Sequence, residues 1–131
     1  LAGKMSGLTR DEMKKWRNEA KGKIKGATMD PTETNFSTFE VAEIVASNKM
    51  MINRSDIVLA EFTHKEHSIG TIGEVVYAHT IGKPVVAFGR PEIIANPWIM
   101  GHITAGYENL HEAVDFVNKL STGIISEARQ K

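Results

Sequence analysis

Two runs, Ile57-Val58-Leu59-Ala60 and Val85-Val86-Ala87-Phe88, contain no polar side chain, and helix start and stop signals lie between them. A strand whose successive side chains are all apolar has both faces covered, the condition of a parallel strand between two helical layers. Thr71 and Glu74 have the spacing of a capping box, and the helix they open should stop near Ile81-Gly82, before Lys83-Pro84. Strand and helix signals alternate elsewhere too. Thr9 with Glu12 predicts a helix to about Ala20. Lys23–Thr28 reads as a short strand ending at the turn signal Asp30-Pro31, and Ser37 with Glu40 opens a helix to about Asn53. Pro91–Met100 reads as a helical segment broken at Pro97, and Ile103–Tyr107 as a final strand. Leu110, Ala113, Val114, Val117 and Leu120 make one apolar helical stripe. Leu1-Ala2-Gly3 reads as the end of a strand that begins before Leu1. The expected fold is α/β: one domain over 1–131, a parallel Rossmann/flavodoxin-like sheet flanked by helices on both faces.

Bulk properties narrow the function. A chain of 131 residues suits one domain with a substantial core, and no repeat or low-complexity tract divides it. Sixteen basic residues balance sixteen acidic ones, which excludes the basic excess expected of a protein that binds nucleic acid polymers or charged membranes. No apolar run approaches the roughly 20 residues that span a bilayer. Lys4 and a polar stretch follow the first residues at once, so no secretory leader is expected. Cysteine is absent, which removes disulfides and thiolate metal sites and agrees with a cytoplasmic protein.

In parallel α/β sheets ligands bind outside the carboxyl ends of the strands, where helix N-termini also point. Gly3–Gly7, Glu61–Glu74 and Gly89–Ile94 follow strands directly, and the middle segment is the richest. Gly70 and Gly73 allow a ligand close to the backbone, and the first-turn N–H groups favour oxygen-rich or anionic groups. A carboxylate at Glu74, in that first turn, could attack the anomeric carbon of a sugar. The same Glu is also what a capping box on Thr71 requires for helix stability alone. His64, Glu66 and His67 make a poor metal set without further ligands and read as a solvated loop, so no metal and no cofactor are expected. Asp56, at the start of a strand, reads as structural. Phe36, Phe39, Trp98 and Tyr107 could stack on a base or belong to the core, and Ile99-Met100 could form an interface patch.

Taken together, Leu1-Ala2-Gly3-Lys4-Met5-Ser6-Gly7, Ser55-Asp56-Ile57-Val58-Leu59-Ala60, Ser68-x-Gly70-Thr71-x-x-Glu74-x-x-x-Ala78 and Gly82-Lys83-Pro84-Val85 resemble the nucleoside 2-deoxyribosyltransferase superfamily. The resemblance covers most of residues 1 to 90 in order. It implies a five-stranded parallel sheet, and an enzyme that cleaves the N-glycosidic bond of nucleosides or nucleotides through a covalent sugar intermediate on Glu74. The sugar, a 2-deoxyribose, would then pass to another base. The resemblance further implies that Gly3, Met5, Ser6 and Gly7 line the pocket, together with Gly70 and Thr71, and that a symmetric homo-oligomer, a dimer or higher, completes it. Two positions depart from the family pattern. Ser68 stands where a carboxylate is usual and resembles the branch that hydrolyses nucleoside 5′-monophosphates, with Ser6 and Ser68 as phosphate ligands or as turn and capping residues. Asn48 stands where an aspartate usually acts near the leaving base; it can hydrogen-bond a base edge but cannot serve as a general acid. Transfer, hydrolysis and non-catalytic nucleotide binding are therefore the three readings of the sequence.

Overall fold

The computed structural model describes residues 1–3 and 10–130, with side chains for 1–3 and 11–123. Three parallel strands, β1 (Val58–Phe62), β2 (Val85–Gly89) and β3 (Ala105–Tyr107), lie side by side in that order. Ala2 adds an isolated parallel bridge to Ala60 on the other edge of β1. The helices are α1 (Arg10–Lys23), α2 (Val41–Arg54), α3 (Ile69–Thr80), the short α4 (Pro91–Ile94) and α5 (Pro97–Met100), and α6 (Leu110–Gln130). The expected α/β class with a parallel sheet holds among the described residues; a five-stranded sheet does not.

The strand expected over Lys23–Thr28 is absent, because α1 runs on to Lys23 and the chain then bends. Leu1 and Ala2 lie beside this segment, on the outer edge of β1, with no ladder to it among the described residues. One hydrogen bond crosses the gap, from the Leu1 amino group to Met29 O at 3.2 Å. At the opposite edge β3 begins at Ala105, with Thr104 N already bonded to Val85 O.

Alternation along the strands divides the core in two. Val58, Ala60, Phe62, Val85 and Ala87 pack with Ile52 of α2, Val75 and Ala78 of α3, Ile93 and Ile94 of α4 and Ile99 of α5. Leu59, Val86 and Phe88 pack with Trp16 and Ala20 of α1 and Ala113, Val114 and Val117 of α6. Every residue of β1 and β2 is buried, as their apolar runs require. Ile99 is fully buried, so it belongs to the core and not to the interface patch expected at Ile99-Met100.

Local signals set the helix ends. The capping box of α2 pairs Glu40 with Glu43, three residues beyond the expected Ser37–Glu40 pair, because Asn35 Oδ1 ties Ser37 N into a turn. Pro91 and Pro97 occupy the first turns of α4 and α5, where a missing N–H costs nothing, so the helical segment over 91–100 is broken just before Pro97, as expected, and restarts there. Gly82, at φ 83°, ends α3. Gly89, at φ 140°, leaves β2 so close to β1 that a Cβ would lie 2.2 Å from Phe62 O. No described helix is long and apolar enough to cross a membrane.

Candidate active site

β1 delivers the chain at Phe62 to a polar loop, and Ser68 turns that loop into α3. Ser68 Oγ accepts from Thr71 N at 3.4 Å and lies 2.8 Å from Thr71 Oγ1, so Ser68 is the N-cap. The helix therefore starts earlier than the Thr71–Glu74 capping box requires, and that reading is overturned. Glu74 lies nearly two turns in, past the reach of the helix's own free N–H groups. Loss of the cap, Ser68→Ala, is expected to lower stability by about 1 kcal/mol in a denaturant titration.

A cleft of about 510 Å³ opens beside this turn. Gly3 and Phe36 contribute to it, as do Ile44 and Asn48 on one face of α2. The loop and the first turn of α3 add Glu66, His67, Ser68, Ile69 and Gly70, and Thr71 and Glu74 follow from one face of that helix. Of the expected site residues, Glu74, Asn48, Gly3, Ser68, Gly70 and Thr71 are thus brought together. Met5, Ser6 and Gly7 lie outside the described residues, as does Thr9. The segment after β2 does not join the cleft: α4 starts at Pro91, and Gly89, Pro91 and Ile94 border a separate depression of about 280 Å³.

Glu74 is half-buried and makes no hydrogen bond or ion pair among the described residues. Desolvation by burial pushes its carboxyl up to about 7, against an opposing pull that includes Arg17. Asn48 Oδ1 is buried and likewise accepts no hydrogen bond. A buried amide oxygen without a donor is costly, and its place on the cleft wall suits a donor on a ligand. On the α3 side, Ile69 and Gly70 N–H have no acceptor among the described residues, as expected in the first turn of a helix. Ser68 itself is engaged as the cap; these two N–H groups are what remains for an anion.

A buried ion cluster holds the Gly3 wall. Arg17, wholly buried, donates from one amino group to Met13 O at 2.6 Å and from the other to Gly3 O at 3.2 Å. Its Nε lies 3.5 Å from Asp30 Oδ1, an ion-pair contact too poorly aligned to count as a hydrogen bond. Asp30 also takes Thr32 N, Thr32 Oγ1 and Lys21 Nζ. Burial alone would raise the Asp30 carboxyl, but the bonds from Lys21 and Thr32 outweigh it and leave it below its ordinary value. Gly3 must be glycine, since a Cβ would meet Trp16 Cζ2 at 2.9 Å and Glu61 Oε1 at 3.1 Å.

Gly70 and Gly73 differ from Gly3. A Cβ at either would meet nothing within 4 Å, and neither has positive φ, so packing within the chain does not demand glycine there. Gly73→Ala is expected to stabilise the fold by roughly 0.5–1 kcal/mol through helix propensity, read as a higher Tm. Gly70→Ala should leave the fold intact and weaken binding of a phosphate-bearing ligand, because Gly70 borders the cleft and Gly73 does not.

Sequence reasoning missed Ile44, since an apolar helix residue carries no site signal, and it named the aromatic and histidine candidates without saying which of them meet the cleft. Phe36 lines the cleft, with Phe39 packed edge-on against it at 5.4 Å. Tyr107 is half-buried against Phe116, and Trp98 is exposed and stacked on His102. His67 faces the cleft, whereas His64 lies 3.4 Å from Glu61, a carboxylate buried on the other face of the sheet and raised chiefly by desolvation. Glu61, expected to open the segment after the strand, lies within β1 instead. Asp56 is exposed, away from the cleft. A comparison with protein-family models found no match, and one with curated proteins found none.

Proposed function

We propose that this protein is an enzyme that cleaves the N-glycosidic bond of a nucleoside or nucleotide in the cytoplasm, with Glu74 as nucleophile. The Glu74 carboxylate attacks C1′; its bond to oxygen forms as the bond to the base nitrogen breaks, and the base leaves with the electron pair and takes up a proton. A second base then displaces Glu74 and receives the 2-deoxyribosyl group. The observation that carries this reading is a desolvated carboxylate on the wall of an open cleft with no structural partner among the described residues. Asn48 would take a donor on the base edge, Phe36 would offer its ring face, and the motif resemblance described above points to the same carboxylate. No cofactor enters the scheme. A homo-oligomer belongs to the same reading, and Ile69, 86% exposed at the rim of the cleft, is an apolar side chain that a neighbouring subunit would cover.

The test is mass spectrometry of protein incubated with a 2-fluoro-2-deoxy nucleoside, with a sugar adduct on Glu74 expected. An adduct elsewhere, or none under conditions of turnover, overturns the assignment. A second reading, hydrolysis of nucleoside 5′-monophosphates, is favoured by the open Ile69 and Gly70 N–H groups at the start of α3. Incubation with a deoxynucleoside, its 5′-monophosphate and a different free base separates them: a new nucleoside means transfer, and free sugar or sugar phosphate means hydrolysis. Nucleotide binding without turnover, unaffected by Glu74→Ala in any reaction assay, would mark a non-catalytic module.

A further inference from the structure

Departure of a base from C1′ leaves an electron pair on nitrogen, and a proton delivered to the base as it leaves is typically worth about 10²- to 10⁴-fold in rate. The cleft walls must supply that proton. Asn48 is no general acid, and the hydroxyls of Ser68 and Thr71 are engaged with one another at 2.8 Å. Among the described residues, three lining side chains remain: Glu66, His67 and Glu74. Glu74 must be ionised to attack carbon. Glu66 is a carboxylate with interaction partners of its own. Histidine is the residue type that holds and releases a proton near neutrality. His67 is exposed, and no hydrogen bond or ion pair ties its ring to the described residues.

We propose, resting on the reading of Glu74 above, that His67 is the proton donor to the departing base. His67 directly precedes Ser68, the N-cap of α3, and Glu74 lies six residues past that cap, about 9 Å further along the helix at 1.5 Å per residue. Both residues line the same cleft, one at its loop side and one on the helix, so Glu74 can meet the anomeric carbon while His67 meets the base. As the bond from C1′ to nitrogen breaks, its electron pair goes to the base, and the proton on the His67 ring passes to a ring nitrogen of that base. The incoming base returns a proton to His67 in the second half-reaction.

The test compares two N-glycosides in wild type, His67→Asn, His67→Ala and Glu74→Gln: a purine 2′-deoxynucleoside, and nicotinamide 2′-deoxyriboside. The nicotinamide leaves neutral from a pyridinium nitrogen and needs no proton. His67→Asn is expected to slow the purine nucleoside by about 10²-fold or more, and nicotinamide release by less than about threefold. Added imidazole should restore part of the purine activity of His67→Ala. An equal loss on both substrates, or no loss on the purine nucleoside, overturns the assignment of His67. Full activity of Glu74→Gln on nicotinamide 2′-deoxyriboside overturns the reading of Glu74 instead, and His67 falls with it.

Discussion

Glu74→Gln is expected to abolish turnover and, at alkaline pH, to raise stability. Removing a nucleophile that forms the covalent intermediate should cost at least about 10³-fold in kcat, since no neighbouring group can replace the bond to carbon. The stability gain has a separate cause. Burial raises the folded carboxyl from its ordinary 4.5 to about 7. Because the folded value is the higher one, the group's favourable contribution is complete below the ordinary value and disappears as pH rises through about 7. Above that pH the protein holds a poorly solvated charge that glutamine does not carry. Wild type and variant should therefore unfold alike near pH 4, while near pH 8 the variant should be more stable by on the order of 2 kcal/mol, partial exposure having been allowed for. A denaturant titration at the two pH values measures it. A residue kept only for helix stability would show the opposite, a loss of stability with activity unchanged. The same titration governs the rate: with Glu74 as nucleophile, kcat/KM for nicotinamide 2′-deoxyriboside, whose leaving group needs no proton, rises with pH through about 7, whereas a proton-donating Glu74 would make it fall.

Arg17→Met should be the most destabilising substitution of a charged side chain described here, by about 3–5 kcal/mol in denaturant unfolding. Methionine preserves much of the volume, so the loss isolates the charge and its hydrogen bonds. Asp30 would keep Lys21 and Thr32 but lose the buried cation at 3.5 Å, and the carbonyls of Met13 and Gly3 would lose their donors. The functional consequence reaches the cleft through Gly3, whose carbonyl Arg17 holds. KM is expected to rise more than kcat falls, because the wall is displaced while Glu74 stays on α3. Asp30 predicts the pH behaviour of this cluster. With its carboxyl held below the ordinary value, it stabilises the fold above that value, and its contribution is lost as pH falls through the depressed one. A stability profile that stayed flat through acid pH would contradict the cluster's role.

Legibility in the sequence followed the range of the interactions involved. Apolar runs and local caps are written in neighbouring residues, so β1, β2, the stop at Gly82 and the stripe of α6 could be read directly. The start of α3 was misplaced because Thr71 and Glu74 match a capping box as well as Ser68 and Thr71 match a simple cap. Only the coordinates choose between two such registers. That choice matters for function, since it removes the local reason for a glutamate at position 74. The strand expected at Lys23–Thr28 failed for another reason: α1 carries on to Lys23, and a short segment does not say whether a ladder awaits it.

Asn48, His67 and Glu74 stand far apart in sequence or on opposite sides of a cap, yet they line one cleft because α2 and α3 pack on the same face of the sheet. Nor could spacing foretell that Arg17 would be buried and turned toward Gly3 and Asp30, since a lone arginine on a polar helix normally faces water. By itself the sequence determined which segments become strands and helices and which chemistry was at hand, because propensity, patterning and capping act over a few residues. Tertiary structure decided which of those groups meet, which carboxylate loses its water, and which polar atoms are left without partners. Desolvation and packing depend on distant parts of the chain, and no local pattern encodes them.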